Sequence, residues 1–569
     1  MPITSPRIAF GLYALTIKQD ATPTCSDVQT FSKVRDLITD NITSKPYATF
    51  EPDFWLLDGN YKFKPTDDDV VHVGLWSLSM SDENGDFDTP PELTITFGSI
   101  QDADGMTLRF SRYSADFASD IDVAYYNASD ALIRTDNYTP TSWEFATGQA
   151  VNDFKKIIIT FNSTNKPYRY LRLTGVDFGE LIYFTSADIK SANVIQEINP
   201  LSIELPIDTL NLSIYYFDND FSIFNPTGIY ANLQKNQPLD VYETVNDEII
   251  YIGKYFLSEW KNEAENIINF ECVDYLGLLE TMPFPGRFWS GATFSDAIEV
   301  LLQTMPTIKV PYELDPQLEN IDVTGFVPEG TYREALQSLA FMAGAIVTSS
   351  RSGVLRIYKS ELSSSLTQSD YIITSSDKGL SNNSLELKPL IAGVEIVAHT
   401  YTQKNDYVEL FNGTLTTGTH IVRFNKLAWD LTITGSASFG DINETYAEVV
   451  VSITGTVVIE AKVYEHFESL FSIYNEDIAS NETKNIIKIS DATLVNPDNV
   501  EEVAQRVYDY FQQRYLQSVR LFASPIAPGE SATVDTIENQ QVIGIAERVE
   551  TNLSGGFVSD VDIVGILVT

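Results

Sequence analysis

Two alternating apolar runs, Leu201 to Ile207 and Leu210 to Tyr216, constrain this chain more than any other stretch. Leu201, Ile203, Leu205 and Ile207 alternate with polar residues; after Asp208-Thr209 the phase changes, and Leu210, Leu212, Ile214 and Tyr216 follow. A period of two predicts half-buried strands. The change of phase demands a bend, bulge or break, because a slip of one residue turns every apolar side chain to the opposite face. Pro206 lies just before it, where a missing N–H is tolerated. A punctuated loop at Phe221–Tyr230 comes next, then Gln237–Tyr242 and a turn at Val245-Asn-Asp-Glu248. Ile250, Ile252, Leu257 and Trp260 follow, with a last alternating run at Ile268, Phe270 and Cys272. The expectation is an antiparallel β domain over 181–285, about a hundred residues.

At 569 residues the chain exceeds one core, and about three to five domains are expected. Hydrophobic content of 43% is enough to fill those cores. Cys25 and Cys272 cannot make a disulfide framework, which fits synthesis in a reducing cytosol. Met-Pro-Ile-Thr-Ser-Pro-Arg lacks the pattern of a signal peptide. No apolar run approaches the ~18 residues of a membrane helix, so no membrane segment is expected. The net charge of −42 argues against nucleic-acid binding through phosphates, which requires clustered Lys and Arg. It suits a soluble acidic surface, or the bore of a tube past which DNA slides.

Residues 1–65 hold a strand candidate at Ile8–Lys18 and a cluster of rings, Tyr47, Phe50, Phe54, Trp55, Tyr61 and Phe63, read as an N-terminal docking arm. Over 66–180 strands follow one another at Leu93–Phe97, Met106–Phe110, Ile121–Tyr125, Ile157–Phe161 and Leu171–Leu173, as in a β-sandwich. Within it Asp82, Asn84, Asp86 and Asp88 alternate as in a calcium loop. Phe87 and Leu93 stand where such a loop needs glycine and glutamate, so a solvated acidic turn is expected. Over 286–375, Thr293-Phe-Ser-Asp296 and Thr331-Tyr-Arg-Glu334 are capping boxes that open amphipathic helices, the second stopped by Gly344. Strand candidates at Ile308–Val310, Ala345–Thr348 and Val354–Tyr358 make this a small α/β module. From 376 to 569 the pattern is β again, with a β insertion at about 400–481 and a helix at 499–515 capped by Asn499 and Glu502.

No catalytic set can be assembled. His72, His399, His420 and His466 are far apart in sequence and lie in no metal-binding or nucleophile motif. Cys272 alternates with Phe270 and Ile268 and reads as core. With 79 acidic residues, some pair of carboxylates always fits a hydrolase, so abundance carries no information. No catalytic, cofactor-binding or metal residue is assigned, and no enzyme is expected.

The linked motifs Ile203–Leu212, Asn225–Tyr230, Leu233–Glu243 and Ile252–Trp260 resemble the first tube-like domain of baseplate hub proteins from phages and phage-tail-like particles of Gram-positive bacteria. Thr331–Ala340 and the closing stretches Pro528–Asp535, Ile543–Ala546 and Leu553–Phe557 resemble the module and second tube-like domain that follow in such hubs. Asp120–Asn127, Phe154–Phe161 and Tyr168–Leu173 are similar to a discoidin-type, galactose-binding-like jelly roll. The resemblance implies a mainly β, multidomain fold: two tube-like β-barrel domains, a small α/β module between them and an N-terminal β-sandwich. It further implies a homotrimer of pseudo-sixfold symmetry at the tail tip. Its partners would be the tail tube or distal tail ring and a central spike or fibre, and cell-wall glycan is a further candidate partner of the sandwich. The alternative is a glycan-binding adhesin acting through the discoidin-like module.

Overall fold

The computed structural model describes residues 3–38, 48–52, 54, 73–111, 114–216, 221–225, 229–246, 248–264, 266–303, 305, 310–360, 366, 368–379, 383–475, 478, 485–536 and 540–568. The molecule is mainly β and multidomain, as expected, and is organised around one sixteen-stranded sheet. That sheet runs from the edge strand Ser384–Leu387, through both expected tube-like regions, into the N-terminal sandwich.

The sandwich packs the strands Ala21–Cys25, Glu92–Ala103, Val151–Thr164, Ala118–Tyr126 and Leu132–Tyr138 against the far end of the large sheet. Leu93, Ile95, Ile121, Val123, Ile157, Ile159 and Phe161 from one layer meet Leu75, Leu108, Phe110 and Leu173 from the other. The alternation of these residues in sequence is what buries one face of each strand. Tyr170–Thr185 is the seam: its first half pairs with Met106–Phe110, its second with Thr4–Tyr13. Across that seam Asp177 receives Lys18 at 2.5 Å and pairs with Arg109, which also reaches Glu144 at 3.2 Å. Burial alone would raise the Asp177 pKa; Arg109 and Lys18 hold it well below the usual carboxylate range.

The N-terminal stretch departs from a docking arm. Thr4–Tyr13 is an interior strand of the large sheet, flanked by Tyr170–Thr185 and Pro238–Val245, and Ala21–Cys25 belongs to the sandwich. Among the expected docking rings, Phe50 is exposed and Phe54 is buried with its ring 4.0 Å from the Arg172 guanidinium. Tyr47, Trp55, Tyr61 and Phe63 lie outside the described residues, as does Ile308–Lys309 of one strand candidate.

Leu201–Ile207 is not a strand. Its alternation serves two different cores: Leu201 enters the one under the helix Val500–Phe511, Leu205 the α/β module, and Ile203 is left 39% exposed. Ser202 takes a positive φ of 52° on the way. Period two marks a strand only when all the inward residues share one layer.

In the module, Thr331 and Glu334 complete their capping box, and Gly344 ends the helix Tyr332–Ala343 at φ 68°. Thr293 and Asp296 exchange the same pair of bonds ahead of Phe294–Gln303. The helix Val500–Phe511 lacks the expected side-chain cap, because the Asn499 Oδ1 accepts from the Asn496 N–H outside the helix. The insertion is a small β domain with its own core of Val422, Ala447, Val449, Val451, Val457 and Ile459. It is carried on Ile391–Gln403 and the second half of Gly455–Tyr474, which pair from Gly393↔Tyr474 to Gln403↔Tyr464, while the first half of Gly455–Tyr474 belongs to the insertion's own sheet.

Candidate assembly surface

Two five-strand units within the large sheet repeat one connectivity. In the first, the strands in chain order are Ile189–Glu197, Thr209–Tyr215, Pro238–Val245, Glu248–Ala264 and Ile267–Val273. Numbered one to five in chain order, they lie side by side as one, two, five, four, three, every neighbouring pair antiparallel. In the second unit the strands are Ser384–Leu387, Tyr515–Phe522, Ser531–Asp535, Gln541–Asn552 and Val558–Leu567. They adopt the same order and the same antiparallel sense.

The long fourth strand repeats in detail. In both units its first half pairs with strand three, a β-bulge follows, and its second half runs on past strand three. The bulge falls between Leu257 and Glu259 in the first unit and between Ala546 and Arg548 in the second. A bulge placed there bends the strand away from its partner and frees the edge beyond.

The second unit uses that freed edge. Arg548–Asn552 pairs antiparallel with Asn193–Glu197, the first strand of the first unit, which joins the two units into one sheet. Glu197 and Arg548 close a 2.7 Å ion pair across the joint, and the Asn193 amide donates to Glu550 at 3.1 Å. Backbone bonds from Ile198 N–H to Glu547 O (2.8 Å) and from Leu553 N–H to Ala192 O (2.9 Å) bracket it.

The equivalent edges at the two ends are open. Among the described residues no strand pairs with Ser258–Ala264 on the side away from Ile267–Val273, and none with the outer side of Ser384–Leu387. Leu387 is 54% exposed there. Unpaired edges of this kind are templates for another strand.

Behind the joint, where both units meet the module, Asp208 accepts from Ser350 at 2.6 Å and Asp274 from Ser349 at 2.8 Å. Asp274 also caps the helix Tyr275–Glu280 through the Gly277 N–H. Burial raises both carboxyls, Asp274 to about 6.

The histidines are not all apart. His399 and His466 lie on neighbouring strands with Nδ1 and Nε2 2.9 Å from each other, rings stacked, and Glu468 beside them. The second ring nitrogen of His399 donates to the Ser490 carbonyl at 3.2 Å, which fixes its tautomer and leaves Nδ1 as acceptor. These three side chains are the only group with metal-ligand spacing among the described residues. Sequence separation hid the pair: it follows from the register Tyr401↔His466 and His399↔Glu468. His420 bonds the Thr416 carbonyl, and His72 lies outside the described residues.

In the acidic loop, Asp82 Oδ1 accepts the N–H groups of Asn84 (2.7 Å) and Asp86 (2.9 Å), so its carboxylate closes the turn. These bonds hold the Asp82 pKa below its usual value. Cys272 is buried in the core of the first unit.

No protein-family model matches the chain, and no curated protein matches it. Among solved structures it is similar to phage-tail proteins. A tail protein from Neisseria meningitidis MC58 aligns at 11% identity over 66% of this chain and 92% of its own, with a TM-score of 0.41. The 43 kDa tail protein of prophage MuSo2 from Shewanella oneidensis aligns at 10% identity over 68% and 96%, with a TM-score of 0.39. A prophage tail protein from Listeria monocytogenes EGD-e aligns at 8% identity over 68% and 92%, also with a TM-score of 0.39. The likeness is one of fold, at TM-scores below 0.5.

Proposed function

We propose that this chain is a structural hub of a phage tail or phage-tail-like particle, a homotrimer that joins a sixfold tail tube to a central spike or fibre. The observation that carries it is the repeated strand order one, two, five, four, three within a single chain. Two such units in each of three copies make a ring of six similar β units while the molecule keeps threefold symmetry for what lies below. A ring also pairs every open edge, which removes an aggregation hazard. The role is mechanical: fixing the diameter of the tube, closing its end and holding the spike. No catalytic step is assigned to it.

The test is the mass of the purified full-length protein by multi-angle light scattering at micromolar concentration. A species of three chains of 63.6 kDa each is expected. A monomer under those conditions overturns the proposal.

A further inference from the structure

The joint within one chain can be carried over, residue by residue, onto the two open edges. The two bulges set the fourth strands in register: Leu257 and Ala546 precede the bulge, Glu259 and Arg548 follow it. The fifth strands then align through Cys272 and Ile563, the second through Leu210 and Gln517, and the first through Val194 and Leu385. In the joint, Glu197 faces Arg548, Gln196 faces Val549, Ile195 faces Glu550 and Val194 faces Thr551.

We infer that the edge Ser384–Lys388 of one copy pairs antiparallel with the edge Glu259–Asn262 of a second copy of this chain, in the register of the joint. Lys388 then faces Glu259, Leu387 faces Trp260, Glu386 faces Lys261 and Leu385 faces Asn262. The inference rests on the hub proposal for the closure of the ring.

Three features not used to set the register agree with it. First, both charged pairs it creates are of opposite sign. Lys388 against Glu259 keeps the attraction of Glu197 against Arg548 with the two signs exchanged, a coincidence no shared sequence explains. Second, the backbone groups point the right way. Lys388 donates inward to the Arg514 carbonyl, so the peptide groups of Leu385 and Leu387, one residue out of phase, face the open edge. Their counterparts Val194 and Gln196 do the same in the joint, in phase with Ile198, which donates to Glu547. Third, the half-exposed Leu387 gains the partly buried Trp260 ring as its neighbour. The ladder is one bond shorter than in the joint, because Pro389 stands where Ile198 donates and has no N–H.

In this register Glu386 and Lys261 form a non-hydrogen-bonded pair, the kind with the closest Cα approach, about 4.5 Å. That suits a disulfide. Full-length protein carrying Glu386→Cys and Lys261→Cys together is oxidised and run on a non-reducing gel. The expected product is a covalent three-chain species. Either single substitution, or Glu386→Cys combined with Glu259→Cys two residues out of register, should give at least about tenfold less. Independently, Lys261→Glu should raise the concentration for half-assembly about tenfold or more, and Glu386→Lys in the same chain should restore it. A trimer that neither cross-links above the single-cysteine level nor answers to the charge swap overturns this interface and leaves the hub proposal standing. A wild-type monomer overturns the hub proposal itself, and the closed ring with it.

Discussion

Glu243 is a buried carboxyl inside the sheet of the first unit. It sits on Pro238–Val245 between Pro6 and Ile250, fully buried, with no hydrogen bond of ordinary geometry to either carboxylate oxygen. Burial pushes its pKa up to about 7, and the nearby N–H groups of Ser5 and Thr244 pull only partly against that. A carboxyl whose folded pKa lies above its unfolded value, near 4.3, binds its proton more tightly when folded. Its contribution is therefore fully present below about pH 4 and is lost as pH rises through 7. Glu243→Gln has no proton to lose. Relative to wild type it should gain stability as pH rises from 5 to 8, by roughly 2–3 kcal/mol. Denaturant melts at the two pH values check this; an equal difference at both would show that the carboxyl is already ionised in the fold. Nothing in the sequence marks Glu243, since it stands among Tyr242, Thr244 and other ordinary strand residues. The His399–His466 contact was equally hidden, because it exists only once the two strands are in register.

The β insertion behaves as an independent element on a two-strand stalk. Among the described residues its core takes none from the body, and its polar contacts with the module are the pair Arg423–Glu329, the Asn443 amide on the Gly286 carbonyl at 2.7 Å and the Thr445 hydroxyl on the Pro285 carbonyl at 3.5 Å. Where it leaves the stalk, Gln403 faces Tyr464 and Lys404 N–H reaches Val463 O at 2.9 Å. Replacing residues 405–462 by Asn-Gly, a two-residue hairpin turn, should therefore leave the melting temperature within a few degrees and the oligomeric mass three times the shortened chain. A fall to monomer by light scattering would show that the insertion takes part in the ring. Removing the sandwich over 66–180 is not equivalent, because Tyr170–Thr185 belongs both to the sandwich, through Met106–Phe110, and to the sheet of the first unit, through Thr4–Tyr13. Local pattern made most single strands and both capped helices of the module legible, since each depends on neighbours in sequence. The joint between the two units was not, because Asn193–Glu197 meets Arg548–Asn552 across more than half the chain. Resemblance suggested a duplication; strand order and matching bulges give it physical content. Leu201–Ile207 shows the converse failure, a clean local pattern whose inward residues serve separate cores.

Assembly of the whole molecule must overcome its charge. Each copy carries −42, so three copies bring −126 into the proposed ring, whereas each proposed contact between copies adds only two ion pairs at an exposed edge. Exposed pairs contribute roughly 0–1 kcal/mol each, while repulsion among whole molecules acts over the screening length, about 30 Å at 0.01 M salt and 8 Å at 0.15 M. Added salt therefore weakens a few short-range attractions slightly and removes most of the long-range repulsion. The trimer should tighten as sodium chloride rises from 10 to 150 mM, with the half-assembly concentration falling about tenfold or more, and Lys261→Glu should need more salt than wild type to reach the same point. Sedimentation velocity across that salt series reads both. A half-assembly concentration that rises with salt would mean that attraction between fixed charges dominates the contact and that the acidic surface lies far from where copies meet.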